Sequence, residues 1–257
     1  MYAAHVRFAL LEDADQEEAV DAIQGLLGAW WRHGQVLNLD AHLAVSSGAA
    51  IASVFLPEAD ALDARFNGSL AASEIEGLQA VIDGPPSVEI LGSDPTAAAA
   101  CSCEERSALI LFTHFLNRVS PLRCAGCFLP VPLYRLDLAD AEVVDDLRMW
   151  EHTYRACDEL EIDSGFGESF ARQNLWQLDS GLSERGRDVC TDLKASTGLP
   201  TYYYLARGSG KSVAAETKRP CPGCGGAWRL QEPLHGHFDF RCDPCLLLSN
   251  IAFDVRG

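Results

Sequence analysis

Val6, Phe8 and Leu10 alternate with other residues near the start of the chain, the two-residue period of a half-buried strand. The period then lengthens. Ala19, Ile23, Leu26, Leu27 and Trp30 recur at helical spacing, with Glu17 and Glu18 near the start, Arg32 and His33 at the end, and Gly34 placed to cap. Two β-like stretches follow, Val36–Val45 and Ala50–Leu56, divided by the turn composition Ser46-Ser47-Gly48. A second helix fits Ala71–Ile82, with Ile75, Leu78 and Ile82 on one face, and Gly84-Pro85-Pro86 ends it before a strand marked by Val88 and Ile90. The predicted order over residues 1–95 is β-α-β-β-α-β, the ferredoxin-like arrangement. That fold serves many unrelated functions, so it assigns none, and the expectation is a scaffold or dimerisation domain.

After Thr96 and the alanine run Ala97–Ala100 the pattern changes, and residues 96–206 read as a mixed α/β region. The apolar run Ala108–Phe112 predicts a strand, and a second apolar run spans Phe128–Leu136. A long helix fits about Asp140–Glu161, its stripe being Val143, Leu147, Trp150, Tyr154 and Cys157. Another fits Leu182–Ser196, with Val189, Cys190 and Leu193 on one side and Gly198 at its end, followed by a strand over Thr201–Ala206. Residues 207–257 read as a polar linker, Gly208–Lys218, followed by a compact cysteine unit. The overall expectation is an α+β chain.

The cysteine unit carries the clearest chemistry. Cys221-Pro222-Gly223-Cys224 and Cys242-Asp243-Pro244-Cys245 are separated by seventeen residues, the C-x2-C-x17-C-x2-C spacing of a structural zinc site. Two residues between cysteines let a tight turn aim both thiolates at one ion, and two such knuckles complete a four-sulfur shell. Gly225 and Gly226 give a knuckle room to turn, while Trp228, Leu230, Phe238 and Phe240 suit the strands of a zinc ribbon. A saturated shell leaves zinc no open position for water, which excludes hydrolytic chemistry there. His235 and His237 are expected as exposed loop residues rather than ligands.

Cys124-Ala125-Gly126-Cys127 is a further C-x2-C, and Cys101-Ser102-Cys103 lies twenty residues before it. These four offer a second zinc centre, or else reduced thiols packed under a hairpin. Cys157 and Cys190 fall on apolar helical stripes and are expected in the core. Gly208-Ser209-Gly210-Lys211-Ser212 echoes the end of a phosphate-binding P-loop. However, Leu205 stands where that motif needs its first glycine, and Pro220 closes the segment before a long helix can form.

Charge narrows the functional classes. The chain of 257 residues has a formal net charge of −17, spread as −12 over residues 1–100, −7 over 101–200 and +2 over 201–257. That balance excludes a general nucleic-acid coat, which needs Lys and Arg over many phosphates. Met1–Leu11 lacks the basic start of a secretory signal, and acidic residues follow at once. The ten cysteines are therefore expected reduced, in the cytoplasm, and clustered for metal rather than paired as disulfides. No run of eighteen apolar residues exists to span a membrane.

Pro121-Leu122-Arg123-Cys124-Ala125-Gly126-Cys127-Phe128, Val131-Pro132-Leu133-Tyr134, Gly198-Leu199-Pro200-Thr201-Tyr202-Tyr203-Tyr204, Cys221-Pro222-Gly223-Cys224-Gly225-Gly226 and Phe238-Asp239-Phe240-Arg241-Cys242 together set a pattern. In it, residues 100–257 resemble an uncharacterised bacterial family described as zinc-ribbon-containing, with nucleic-acid binding inferred from the ribbon. The resemblance implies zinc at the ribbon and a partner of RNA or DNA. Arg207, Lys211, Lys218, Arg219, Arg229 and Arg241 surround the ribbon as candidate phosphate contacts, with Tyr202, Tyr203, Tyr204 and Trp228 as candidate stacking faces. The expectation is a non-catalytic nucleic-acid-associated accessory factor. The alternative is an interaction module whose acidic N-terminal region docks on a basic protein. Carboxylates such as Glu159, Glu161 and Asp163 have no basic or nucleophilic companion that sequence can place beside them, so no enzyme is expected.

Overall fold

The computed structural model describes all residues except Ser47, Asp137, Ala139, Asp140, Ser164, Arg256 and Gly257, and describes only the backbone of Asp163. The chain is of the α+β class and forms two bodies. The first comprises Met1–Cys101 with Arg118–Ser120 and Leu129–Asp137; the second comprises Ser102–Asn117, Pro121–Phe128 and Leu138–Gly257.

The first body contains β1 (Tyr2–Ala9), α1 (Gln16–Arg32), β2 (His42–Ser46), β3 (Ala49–Leu56), α2 (Ser69–Leu78) and β4 (Ser87–Ser93). The four strands make an antiparallel sheet of order β2-β3-β1-β4. Alternation along β1 buries Ala4, Val6 and Phe8 on one face, in one core with Ile23, Leu26 and Trp30 of α1. Asp15 caps α1 by accepting from the N–H groups of Glu17 and Glu18 at 2.9 and 3.0 Å, an arrangement worth about 1 kcal/mol.

Two boundaries differ from the sequence pattern. The stretch Val36–Val45 becomes strand only from His42, because the N–H groups of Gln35 and Val36 both bond Trp30 O and hold the chain against the end of α1. The second helix stops at Leu78 rather than Ile82. Its continuation is claimed by the end of β1: Leu11 N–H bonds Val81 O, and Asp83 N–H bonds Ala9 O. Residues 129–137, which the sequence places in the middle region, join this body. Tyr134 enters its core and donates to Glu58 at 2.6 Å, and Arg135 pairs with the same carboxylate.

The second body contains β5 (Leu109–Leu111), β6 (Leu122–Cys124), α3 (Ala141–Asp163), α4 (Glu168–Trp176), α5 (Gly181–Thr197), β7 (Thr201–Leu205), α6 (Val213–Glu216), β8 (Arg229–Leu234), β9 (Phe238–Cys242) and β10 (Leu247–Ser249). Its sheet runs β6-β5-β7-β10-β9-β8, with β5, β7 and β10 parallel and the outer strands antiparallel. The three parallel strands are buried at every position, the expected state of strands covered on both faces. The start of the long helix at Asp140 lies outside the described residues; α3 begins at Ala141 and buries the expected stripe. Helix α4 escapes the sequence pattern because it buries only Ala171 and Leu175 and follows Gly167, an N-cap in the left-handed region, without a capping side chain. Among the described residues no helix is long and apolar enough to cross a membrane.

Gly186 of α5 is where helix and sheet press closest. A Cβ there would lie 2.4 Å from the Tyr203 ring and 2.5 Å from the Trp150 indole. Gly186→Ala is expected to lower the stability of this body by about 1–3 kcal/mol, because overpacking outweighs the helix propensity gained. A denaturant midpoint equal to or above that of the parent protein would contradict the close packing.

Candidate metal centres

The knuckle Cys221–Cys224 is closed by its own backbone. Gly225 N–H bonds Cys221 O at 2.8 Å, and Cys221 N–H bonds Gly226 O at 2.9 Å. Gly225 takes φ +74°, the left-handed conformation that glycine adopts without steric cost. The facing knuckle joins β9 to β10: Cys242 ends one strand, Cys245 precedes the other, and Leu246 between takes φ 50°. All four sulfurs lie within 4.8 Å of one another, with Cys224 and Cys242 at 3.6 Å. Tetrahedral ligation at about 2.3 Å keeps sulfurs near 4 Å apart, so the donor set fits one four-coordinate ion. A Cβ at Gly223 would stand 2.8 Å from Cys245 Sγ, so glycine is required beneath that sulfur.

The Gly226 N–H, together with the neighbouring thiols, holds Cys224 down at about 7. Burial, with some of the neighbouring thiols, pushes Cys242 and Cys245 up. Four converging thiolates repel unless a cation stands between them, and a coordinated metal deprotonates its thiols outright.

The second group shares part of this construction, joining one C-x2-C turn to the C-x-C pair Cys101 and Cys103. The sulfurs of Cys101, Cys103, Cys124 and Cys127 also lie within 4.8 Å of one another, those of Cys101 and Cys124 belonging to buried residues. Cys124 ends β6, and Phe128 N–H bonds Cys124 O at 2.8 Å, the counterpart of the Gly225–Cys221 bond. Phe128 takes φ 61°. The residue after the second cysteine is thus left-handed in every C-x2-C of the chain: Gly225, Leu246 and Phe128. For a phenylalanine that conformation costs about 1–2 kcal/mol and persists only where the surroundings impose it. The ring of Phe128 stacks on His235 at 5.2 Å and meets Phe238 edge-on. His235 is therefore half-buried rather than exposed, with Nε2 2.8 Å from Ala125 O, while His237 is exposed. Cys157 and Cys190 lie in the core, where burial raises both thiols.

The basic residues around the C-terminal cysteine group divide into two kinds. Arg207 and Arg219 share Glu216, Arg229 pairs with Asp239 at 3.0 Å, and Arg241 pairs with Asp243 at 2.5 Å. Lys211 and Lys218 are exposed, and neither has an ion-pair partner among the described residues. The aromatic expectation is corrected: Tyr202, Tyr203, Tyr204 and Trp228 are all buried and present no stacking face. The tyrosines form a central strand covered on both sides, and their hydroxyls donate to Asp243, to Ser183 and to Asn250. Trp228 donates to Arg219 O at 2.9 Å, and the Arg219 guanidinium lies 4.6 Å from the Phe240 ring. The stretch Gly208–Lys218, expected as a linker, carries α6 and the buried Glu216. Of the carboxylates weighed from sequence, Glu161 is held by Arg172 at 3.1 Å, and the Asp163 side chain lies outside the described residues. Sequence reading missed Asn250, because its role depends on a strand pairing more than forty residues distant.

Three family models match the chain, each described as a domain of unknown function: DUF8589 over residues 1–92, DUF2310 over 103–206 and DUF8594 over 210–255. An uncharacterised protein of Haemophilus influenzae is 29% identical over 239 residues, covering 90% of each chain. Another from the same organism is 31% identical over 166 residues, covering 65% of this chain and 82% of the relative. Among solved structures, one named "Putative antibiotic biosynthesis monooxygenase from Nitrosomonas europaea" matches 36% of this chain and 98% of its own. Its identity is 13% and its TM-score 0.30, a likeness too slight to assign a fold or an activity. The coverage and identity of the second relative place this chain in one family with that uncharacterised Haemophilus influenzae protein.

Proposed function

We propose that this is a zinc protein with two structural tetrathiolate centres, a ferredoxin-like N-terminal domain that serves as scaffold, and a C-terminal zinc ribbon that acts as a non-catalytic, nucleic-acid-associated accessory factor. The observation that carries the metal reading is the convergence of sulfurs in two groups of four, with a left-handed residue after each of the three C-x2-C pairs. An all-thiolate, four-coordinate shell suits zinc, and it leaves no position for a reacting water. The ferredoxin-like reading is supported by β-α-β-β-α-β order with an antiparallel sheet of order β2-β3-β1-β4.

The nucleic-acid reading draws its support from residues 207–219, whose net charge is +3 in a strongly acidic chain. With the tyrosines buried, contact runs through phosphates and not through stacked bases. Two to four such contacts imply a log–log salt slope of about −2 to −4 on duplex DNA. Binding of the full-length, zinc-loaded chain to RNA and DNA at two salt concentrations tests this. Lys211→Glu with Lys218→Glu is expected to weaken binding equally across sequences. Absence of binding to either nucleic acid at low salt would remove this reading and leave docking of the acidic surface on a basic protein.

A further inference from the structure

The loop that leaves β7 stands at the carboxyl end of the parallel strands, the side on which parallel sheets form ligand crevices. It is built rigidly. Asn250, just after β10, accepts from Arg207 N–H at 2.9 Å and donates to Arg207 O at 2.8 Å, while the Tyr204 hydroxyl donates to the same carboxamide oxygen. A Cβ at Gly208 would fall 1.9 Å from the Trp176 ring, and one at Gly210 would fall 2.8 Å from the Glu216 carboxylate. Only glycine permits those two approaches. Gly210 N–H is itself taken by Asp254 at 2.9 Å.

This loop walls a cavity of about 560 Å³ whose charged lining is Arg207, Lys211, Lys218, Arg219 and Glu216. Glu216 is 3% exposed and reaches both guanidiniums, at 3.1 and 3.4 Å, so a single negative charge fixes two cations in place. The lining keeps a surplus of three positive charges in a chain whose net charge is −17. Cations gathered on a concave wall focus a positive potential that an anion relieves. The volume lies within the range of about 300–1,000 Å³ found for small-ligand sites.

We propose that this cavity binds a phosphate monoester, as the terminal phosphate of a nucleic acid or of a mononucleotide. A monoester carries close to two negative charges at neutral pH, which suits a surplus of three better than the single charge of an internal phosphodiester. The phosphate is held by side-chain cations, unlike the backbone nest of a P-loop, whose N–H groups Asp254 in part occupies here. The nucleotide part of the ligand rests on the nucleic-acid reading; the cavity and its charge do not.

The test is calorimetric titration of the full-length, zinc-loaded chain at low ionic strength. The probes are adenosine monophosphate, adenosine, and a short single-stranded oligonucleotide with a 5′-phosphate or a 5′-hydroxyl. Adenosine monophosphate is expected to bind at least about tenfold more tightly than adenosine, and the phosphorylated oligonucleotide more tightly than its hydroxyl counterpart. Lys211→Glu and Lys218→Glu, both at exposed positions, are each expected to weaken binding of the monophosphate by about tenfold with zinc content and thermal midpoint unchanged. If the monophosphate binds and the oligonucleotides do not, the cavity stands as a small-molecule site and the nucleic-acid reading falls. If the oligonucleotides bind alike with either end and the monophosphate does not bind, this proposal is overturned while the nucleic-acid reading survives. Monophosphate binding that ignores both charge reversals also overturns it.

Discussion

Replacing Cys242 by serine is expected to release one equivalent of zinc and to loosen the end of the second sheet with it. Cys242 is the last residue of β9, and its sulfur stands 3.6 Å from that of Cys224. The knuckle it opens turns directly into β10, which lies parallel to β7. Tyr203 N–H bonds Leu246 O at 2.8 Å, so the left-handed residue of the knuckle is tied to the central strand of the body. Zinc binding to small cysteine units supplies roughly 10–16 kcal/mol of apparent free energy that is also folding free energy. Losing one of four thiolates therefore costs several kcal/mol at this end of the sheet. Elemental analysis reads the metal and hydrogen exchange reads the sheet. The amides of Tyr203 and Arg241 should lose protection, while those of β1 and β3, whose core is separate, should keep it. Unchanged zinc content with full protection at Tyr203 would refute the ligand assignment.

What the sequence made legible is what local spacing determines. The C-x2-C pairs announce turns that aim two sulfurs at one point, and the stripe from Val143 to Cys157 announces α3. The alternation of Val6 and Phe8 marks β1, whose partners then follow in register. What stayed hidden depends on pairing between distant segments. Ala108–Phe112 and Thr201–Ala206 read as strands, but burial on both faces erases the alternation that would reveal their partners, and Leu247–Ser249 gives no such signal. Their joining places β8 and β9 in the same sheet as β7, and it buries the tyrosines that composition alone offered as stacking faces. The arginines near the C-terminal cysteines likewise read as free cations until the fold brings Glu216, Asp239 and Asp243 beside them. Charge counts along a chain locate an excess; only the fold shows which part of it remains unpaired.

Replacing Cys124 by serine is expected to remove a second equivalent, taking zinc from two per chain to one. The argument rests on Phe128 as much as on the sulfurs. Reduced thiols packed under a hairpin need no particular backbone, and a buried phenylalanine ring can be placed from the β region at no cost. Here Phe128 sits at φ 61°, directly after Cys127, and donates its N–H to Cys124 O, as Gly225 does to Cys221 O. A coordinated ion drawing both thiolates of the turn to one point would supply the force that holds this conformation. Without it, the strain of about 1–2 kcal/mol is released by opening the turn. The Phe128 ring then leaves its places against Phe112, His235 and Phe238. The variant should therefore lose metal and aromatic packing together, read by elemental analysis and by near-ultraviolet circular dichroism. Acid should likewise release metal from the parent protein, since thiolates must take up protons as the metal leaves, and lowering the pH drives that exchange. A parent protein that holds a single equivalent, unchanged in Cys124→Ser, would show that these four cysteines are packed thiols and that Phe128 is held by its ring alone.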